Sequence, residues 1–169
     1  MIAAISSPLM LPLLLGILIT VIDQATKLLV ARYFHLHESV PVIPGLFDLR
    51  YIQNTGAAWG IFAGGHNWLA VLSVVVLVAL VVFQRHLFTD RWLDRLVFGL
   101  IIGGISGNFI DRVKLHYVID FFDFHWRGHH FPAFNVADSA ICCGVALYML
   151  SQLLLARRQE EPVESGAAR

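Results

Sequence analysis

Charge is the scarcest resource in these 169 residues: 14% are Asp, Glu, Lys or Arg, against about a quarter in a soluble domain. The basic and acidic side chains cancel to a formal net charge of +0. The chain therefore has no overall field with which to hold nucleic acid. Cysteine is nearly absent. Its two copies, Cys142 and Cys143, are adjacent, and neighbours cannot reach the separated, facing geometry of an ordinary disulfide. They read as small buried apolar residues, with no histidine in their run to activate a nucleophile. No Lys or Arg precedes the first apolar run and no A-x-A site follows it. That run lacks the marks of a cleaved leader and reads as a retained helix.

What the chain has in abundance is apolar residues, 57% of the total, gathered into long runs as lipid demands. The runs predict membrane spans over 9–30, 68–83, 93–110 and 136–156, the second of them short. The expected fold is an all-α integral membrane protein of four helices, forming one embedded domain over 1–158. The charged tail 159–169 reads as disordered. The short connection between spans two and three holds Arg85, Arg91 and Arg95, and Arg157 and Arg158 follow span four. Short basic segments stay in the cytoplasm, which puts both termini inside and the long loops 31–66 and 111–135 outside. Pro41, Pro44 and Gly45 punctuate short β-prone pieces such as 46–51, so the first loop predicts a small extracytoplasmic β-cradle on the membrane surface.

The unusual polar residues all fall at that outer level. Asp23 and Lys27 share a face of span one at i, i+4 and can pair; an interfacial pair with a snorkelling lysine is the bland alternative. Asn54 opens the turn Asn54-Thr-Gly56, which suits holding a peptide backbone and equally suits an ordinary turn. Asn108, Asp111 and Arg112 share a face of span three, where Arg112 can clamp a carbonyl or carboxylate or merely complement a helix C-terminus. Gly99, Gly103 and Gly107 form a ladder that reads as close helix packing. Asn135 and Asp138 open span four, and a lone aspartate there is most simply a helix cap. Asp120 lies within Val118-Ile119-Asp120-Phe121-Phe122, too apolar a stretch for a solvated loop charge. Asp123, three residues on, suits such a charge, and Asp111 suits pairing with a nearby cation. Two carboxylates converging in a poorly solvated place share one proton, which is the chemistry of an aspartic protease.

Other chemistries fit less well. His125, His129 and His130 lack an H-E-x-x-H frame and acidic partners at ligand spacing, so no metal or other cofactor is expected. Ser106 sits outside a G-x-S-x-G frame, and no span supplies a histidine base. A proton-coupled transporter would carry ionisable groups through the bilayer, but span two has none between Trp68 and Phe83. A non-catalytic assembly protein built on the glycine ladder leaves Asp120 unexplained.

Five blocks together resemble bacterial lipoprotein signal peptidase, the signal peptidase II family. They are Asp23-Gln-Ala-Thr-Lys27, Asn54-Thr-Gly-Ala-Ala58, Gly103-Gly-Ile-Ser-Gly-Asn108-Phe-Ile-Asp-Arg112, Val118-Ile-Asp120-Phe121 and Phe134-Asn135-Val-Ala-Asp138-Ser-Ala140. The resemblance implies an intramembrane aspartyl endopeptidase of the bacterial inner membrane. It would cut a prolipoprotein just before a cysteine that already carries diacylglycerol, and it would be sensitive to globomycin. Asp120 and Asp138 match the family's catalytic pair. Asp23, Lys27, Asn54, Gly56, Asn108, Arg112 and Asn135 match its pocket-shaping, substrate-binding positions. The expected partners are the lipid-modified substrate and membrane lipid. The four spans can bury one another, so a monomer suffices. Ile105, and Trp59-Gly60 after the Asn54 block, depart from the family's usual residues, which bears on packing and inhibitor fit and leaves the pair untouched.

Overall fold

The computed structural model describes residues 10–56, 66–87 and 91–160, with side chains for all of these but 66 and 158–160. Each long apolar run becomes a helix: α1 (Met10–Tyr33), α2 (His66–Leu87), α3 (Trp92–Leu115) and α4 (Val136–Glu160). All four are long and apolar enough to cross a membrane. The helices outrun the hydropathy pattern at their ends. α3 continues to Leu115, so Asp111 and Arg112 are helical rather than in the loop that follows. α4 runs through Gln159 to Glu160, so the tail does not begin at 159. Residues 161–169, and the Trp59-Gly60 departure, lie outside the described residues.

α3 is the central helix, in contact with α1, α2 and α4. Buried residues make up 44% of its apolar window against 6% of that of α2. The glycine ladder is what allows this. A Cβ on Gly99 would meet Leu15 and the Pro12 carbonyl at 2.9 Å or less, and one on Gly103 would meet the Gly16 carbonyl at 2.7 Å. α1 therefore lies backbone-close along one side of α3. Across that contact the Thr20 hydroxyl donates to the Gly103 carbonyl at 3.1 Å. On the other side, a Cβ on Gly104 would collide with the Ala137 carbonyl and Ile141 of α4. Without lipid-phase hydrophobic drive, such close dispersion contacts are the main source of helix association.

The loops at one end of the bundle pair into an antiparallel four-stranded sheet in the order β1-β2-β3-β4. Its strands are β1 (Ser39–Ile43), β2 (Phe47–Asn54), β3 (Val118–Trp126) and β4 (His129–His130). The cradle thus draws two strands from each long loop, whereas the sequence pointed only to the first loop. β3 leaves α3 through His116, whose φ of 67° caps the helix in the left-handed region. A two-residue turn, Arg127-Gly128, with φ of 49° and 82°, joins β3 to β4. Val30, Tyr51, Ile119 and Phe121 form the core between α1 and the sheet. The two cysteines are exposed on α4, not buried as their run implied. Cys142 lines a cavity between α4 and its neighbours, and an exposed position on a spanning helix can meet lipid, where a small apolar thiol such as Cys143 needs no protein neighbour.

Candidate functional site

The site begins with a helix start. Asn135 caps α4: its side-chain oxygen accepts the Asp138 N–H at 2.9 Å, and Asp138 Oδ2 accepts the Asn135 N–H at 3.2 Å. This reciprocal pair is a capping box, with Asp138 at its third helical position instead of at the cap itself. Capping locks Asp138 in place and leaves Oδ1 facing away from its own helix. There Oδ1 accepts from Asn108 Nδ2 of α3 at 2.7 Å.

The same Asn135 also sets Asp120. Its Nδ2 donates to Asp120 Oδ1 at 2.7 Å, and Asn54 Nδ2 donates to Asp120 Oδ2 at 2.9 Å. Asn54 is held in turn by its own turn, accepting the Gly56 N–H at 2.9 Å. Asp120, 2% exposed, and Asp138 both line a cavity of about 410 Å³, with Asn54, Asn108, Arg112 and the apolar Val118, Phe134 and Ile141. Asp120 lies in the sheet, outside the spans. Burial, followed by the neighbouring charge of Asp138, pushes its carboxyl up from 3.8 to about 7. The carboxylates of β3 and α4 therefore face one largely apolar space, each oriented by amide donors.

Behind that wall lies a second polar layer. Lys27, 2% exposed, reaches Asp23 at 2.8 Å, Asp111 at 3.0 Å and Asn108 Oδ1 at 2.8 Å. Asp23 Oδ1 accepts the Ala137 N–H at 2.9 Å, in the first turn of α4. Gly107 leaves the room for this: a Cβ there would collide with Asp23 Oδ2. The last rung of the glycine ladder thus serves the polar network as well as packing. Asp23 and Lys27 do not line the cavity; they reach it through Asn108 and the start of α4. Asp111 pairs with a cation as expected. Gln24, not singled out from sequence, donates to Asp111 Oδ1 at 2.8 Å and to the Gly107 carbonyl at 3.2 Å. Nothing in its spacing distinguishes Gln24 from a surface glutamine.

Asp123 departs from the sequence reading. It is 2% exposed, its Oδ1 bonds to His130 Nδ1 at 2.8 Å, and Arg50 stands 3.6 Å from Oδ2. A β-bulge accounts for this. The N–H groups of Phe121 and Phe122 both donate to the Phe134 carbonyl, at 3.1 and 2.8 Å, so two residues of β3 oppose one across the pair. The extra residue restores Asp120 and Asp123 to the same side, where simple alternation would separate them. His125 likewise bonds to Asp48 at 3.2 Å. Among the described residues, His125 and His130 each bond to an aspartate, and no group of three or more His, Cys, Asp or Glu stands close enough to hold a metal ion.

Comparison with known proteins points one way. A family model described as Signal peptidase (SPase) II matches residues 15–154. The chain is 46% identical over 143 residues to a lipoprotein signal peptidase of Syntrophotalea carbinolica, covering 83% of this chain and 89% of that one. It is 39% identical over 149 residues to the lipoprotein signal peptidase of Symbiobacterium thermophilum, covering 88% and 98%. It also resembles a solved structure described as a bacterial membrane enzyme determined by the in meso method at 2.3 Å resolution. There the TM-score is 0.82 at 32% identity, covering 91% of this chain and 94% of that one. A second bacterial membrane enzyme, solved by the same method at 1.9 Å resolution, gives 0.75 at 34% identity, covering 84% and 92%.

Proposed function

The chain belongs to the signal peptidase II family, a bacterial family of membrane proteases, and on that premise we propose that it is an intramembrane aspartyl endopeptidase with Asp120 and Asp138 as its catalytic pair. Its substrate is a diacylglyceryl-modified prolipoprotein, cut just before the lipidated cysteine. It works as a monomer in the inner membrane, with both termini cytoplasmic and the cavity at the extracytoplasmic face. The observation that carries this reading is the convergence of the two carboxylates on one apolar-walled cavity at the sheet end of the bundle.

The chemistry follows from the pair's shared proton. One carboxylate, ionised, draws a proton from a water molecule as that water attacks the scissile carbonyl. The other, protonated, donates a hydrogen bond to the carbonyl oxygen as charge develops there. The roles exchange when the tetrahedral intermediate collapses and the departing amine takes up a proton. Asn54, Asn135 and Asn108 hold the carboxylates in register, and the Arg112 guanidinium in the cavity wall grips a substrate carbonyl. Asp23 and Lys27 act from behind, fixing α3 against the start of α4.

The test is turnover of a lipidated precursor by purified variants, with folding followed by thermal unfolding in detergent. Asp120→Asn and Asp138→Asn each reduce cleavage to near background, and the double variant is hardly worse than either, as for residues of one device. Folded Asp138→Asn with substantial activity would leave Asp138 a capping residue only and break the assignment.

A further inference from the structure

A second cavity, of about 470 Å³, adjoins the first. The two share Asn54, Asp120, Phe131, Pro132 and Ala133. The first has a largely apolar wall, with Val118 of β3, Phe134, and Ile141 of α4. The second lies over the sheet and is lined by Arg50, Gln53, Thr55, Asp123 and His130. Asp123 Oδ2 is fully buried and, among the described residues, accepts no hydrogen bond; Arg50 stands beyond hydrogen-bond distance at 3.6 Å. A buried carboxylate oxygen without a donor is costly. The bulge at Phe121 and Phe122, which gives Asp123 the same side as Asp120, puts its side chain in the cavity wall when strand alternation would send it elsewhere.

We propose that this second cavity is the subsite for the polypeptide that follows the lipidated cysteine, and that the Asp123 carboxylate, whose Oδ2 is covered and unsatisfied in the free protein, turns to accept a backbone N–H of that segment. The inference rests on the peptidase reading above. The geometry carries it in three steps. The substrate's lipid and signal helix are apolar and suit the first cavity. The segment beyond the scissile bond is hydrophilic and leaves the membrane, so it must pass Asp120 toward the sheet. The more polar of the two cavities lies there, lined by a carboxylate with one oxygen unfilled and the other fixed by His130. A backbone N–H, unlike a side-chain donor, is offered by nearly every sequence, which lets one enzyme serve many precursors. Asp123 is then a positioning residue that aligns the chain across the carboxylate pair.

The experiment compares two lipidated precursors, one ending at the modified cysteine as an amide and one extended by about six residues. For each, kcat and KM are measured with the wild type and with Asp123→Asn. Loss of one hydrogen bond to a charged acceptor is worth about tenfold, so Asp123→Asn lowers the extended-to-truncated ratio of kcat/KM by about that factor. An unchanged ratio, including equal losses on both substrates, overturns the proposal. If the variant does not fold, the wild type carries the test through extended precursors N-methylated at one amide at a time. One position should lose about tenfold, and a loss below twofold at every position overturns the subsite. Failure of the wild type to cleave either lipidated precursor would instead sink the peptidase reading itself.

Discussion

Replacing Asp120 by asparagine should stabilise the protein at neutral and alkaline pH, though it destroys the proposed activity. In the folded chain the Asp120 carboxyl is pushed from 3.8 to about 7, first by burial and then by the charge of Asp138. A folded-state value above the unfolded one favours the fold only while the group is protonated. That contribution is intact below about pH 4, fades as pH rises, and is gone above about 7. At 1.36 kcal/mol per pH unit, the interval corresponds to on the order of 4 kcal/mol. Asparagine mimics the protonated acid and does not ionise. It turns one nitrogen toward a donor, Asn54 or Asn135, at a cost of about 1–3 kcal/mol that does not vary with pH. The difference in melting temperature, variant minus wild type, should therefore be near zero or negative at pH 4. It should climb by on the order of 10 °C by pH 8, taking roughly 2–4 °C per kcal/mol for a chain of this size. Thermal unfolding in detergent across that range, with both proteins in matched buffers, is the measurement. A difference that stays flat or falls with pH would refute the idea that Asp120 is held protonated by its surroundings.

Lys27→Met strips the cation from between Asp23 and Asp111. Leaving a buried charge uncompensated costs about 3–5 kcal/mol, so the melting temperature should drop sharply; a drop under a degree would contradict the buried network. Gly107→Ala pushes Asp23 off the start of α4 and should cost about 1–3 kcal/mol from overpacking alone. Its loss of turnover should exceed that of Gly45→Ala, at an open turn position, when both are assayed on folded protein. Reporter fusions after Arg85 and Arg158 should read cytoplasmic and one near Asn54 external; a cytoplasmic Asn54 reporter would place the cavity on the wrong face.

The primary structure alone determined the four long helices and the gathering of the polar residues at one end of them. Runs of apolar residues must become helices in lipid, because every backbone N–H and C=O has to be satisfied within the segment. Once the spans are drawn, topology brings Asp23, Asn54, Asn108, Asp120, Asn135 and Asp138 to one end. Contact, however, depends on three-dimensional detail that no spacing encodes. That Asn135 caps α4 and also grips Asp120 needs β3 beside the helix start. That Asp123 is a buried cavity residue needs a one-residue bulge, and a shift of one residue on a strand reverses which side a side chain takes. Lys27 sits behind the cavity rather than in it because Gly103 and Gly107 let α1 sink against α3. The exposed cysteines make the same point from the other side: an apolar run predicts burial, and only the packing of helices decides whether protein, lipid or a cavity meets each residue.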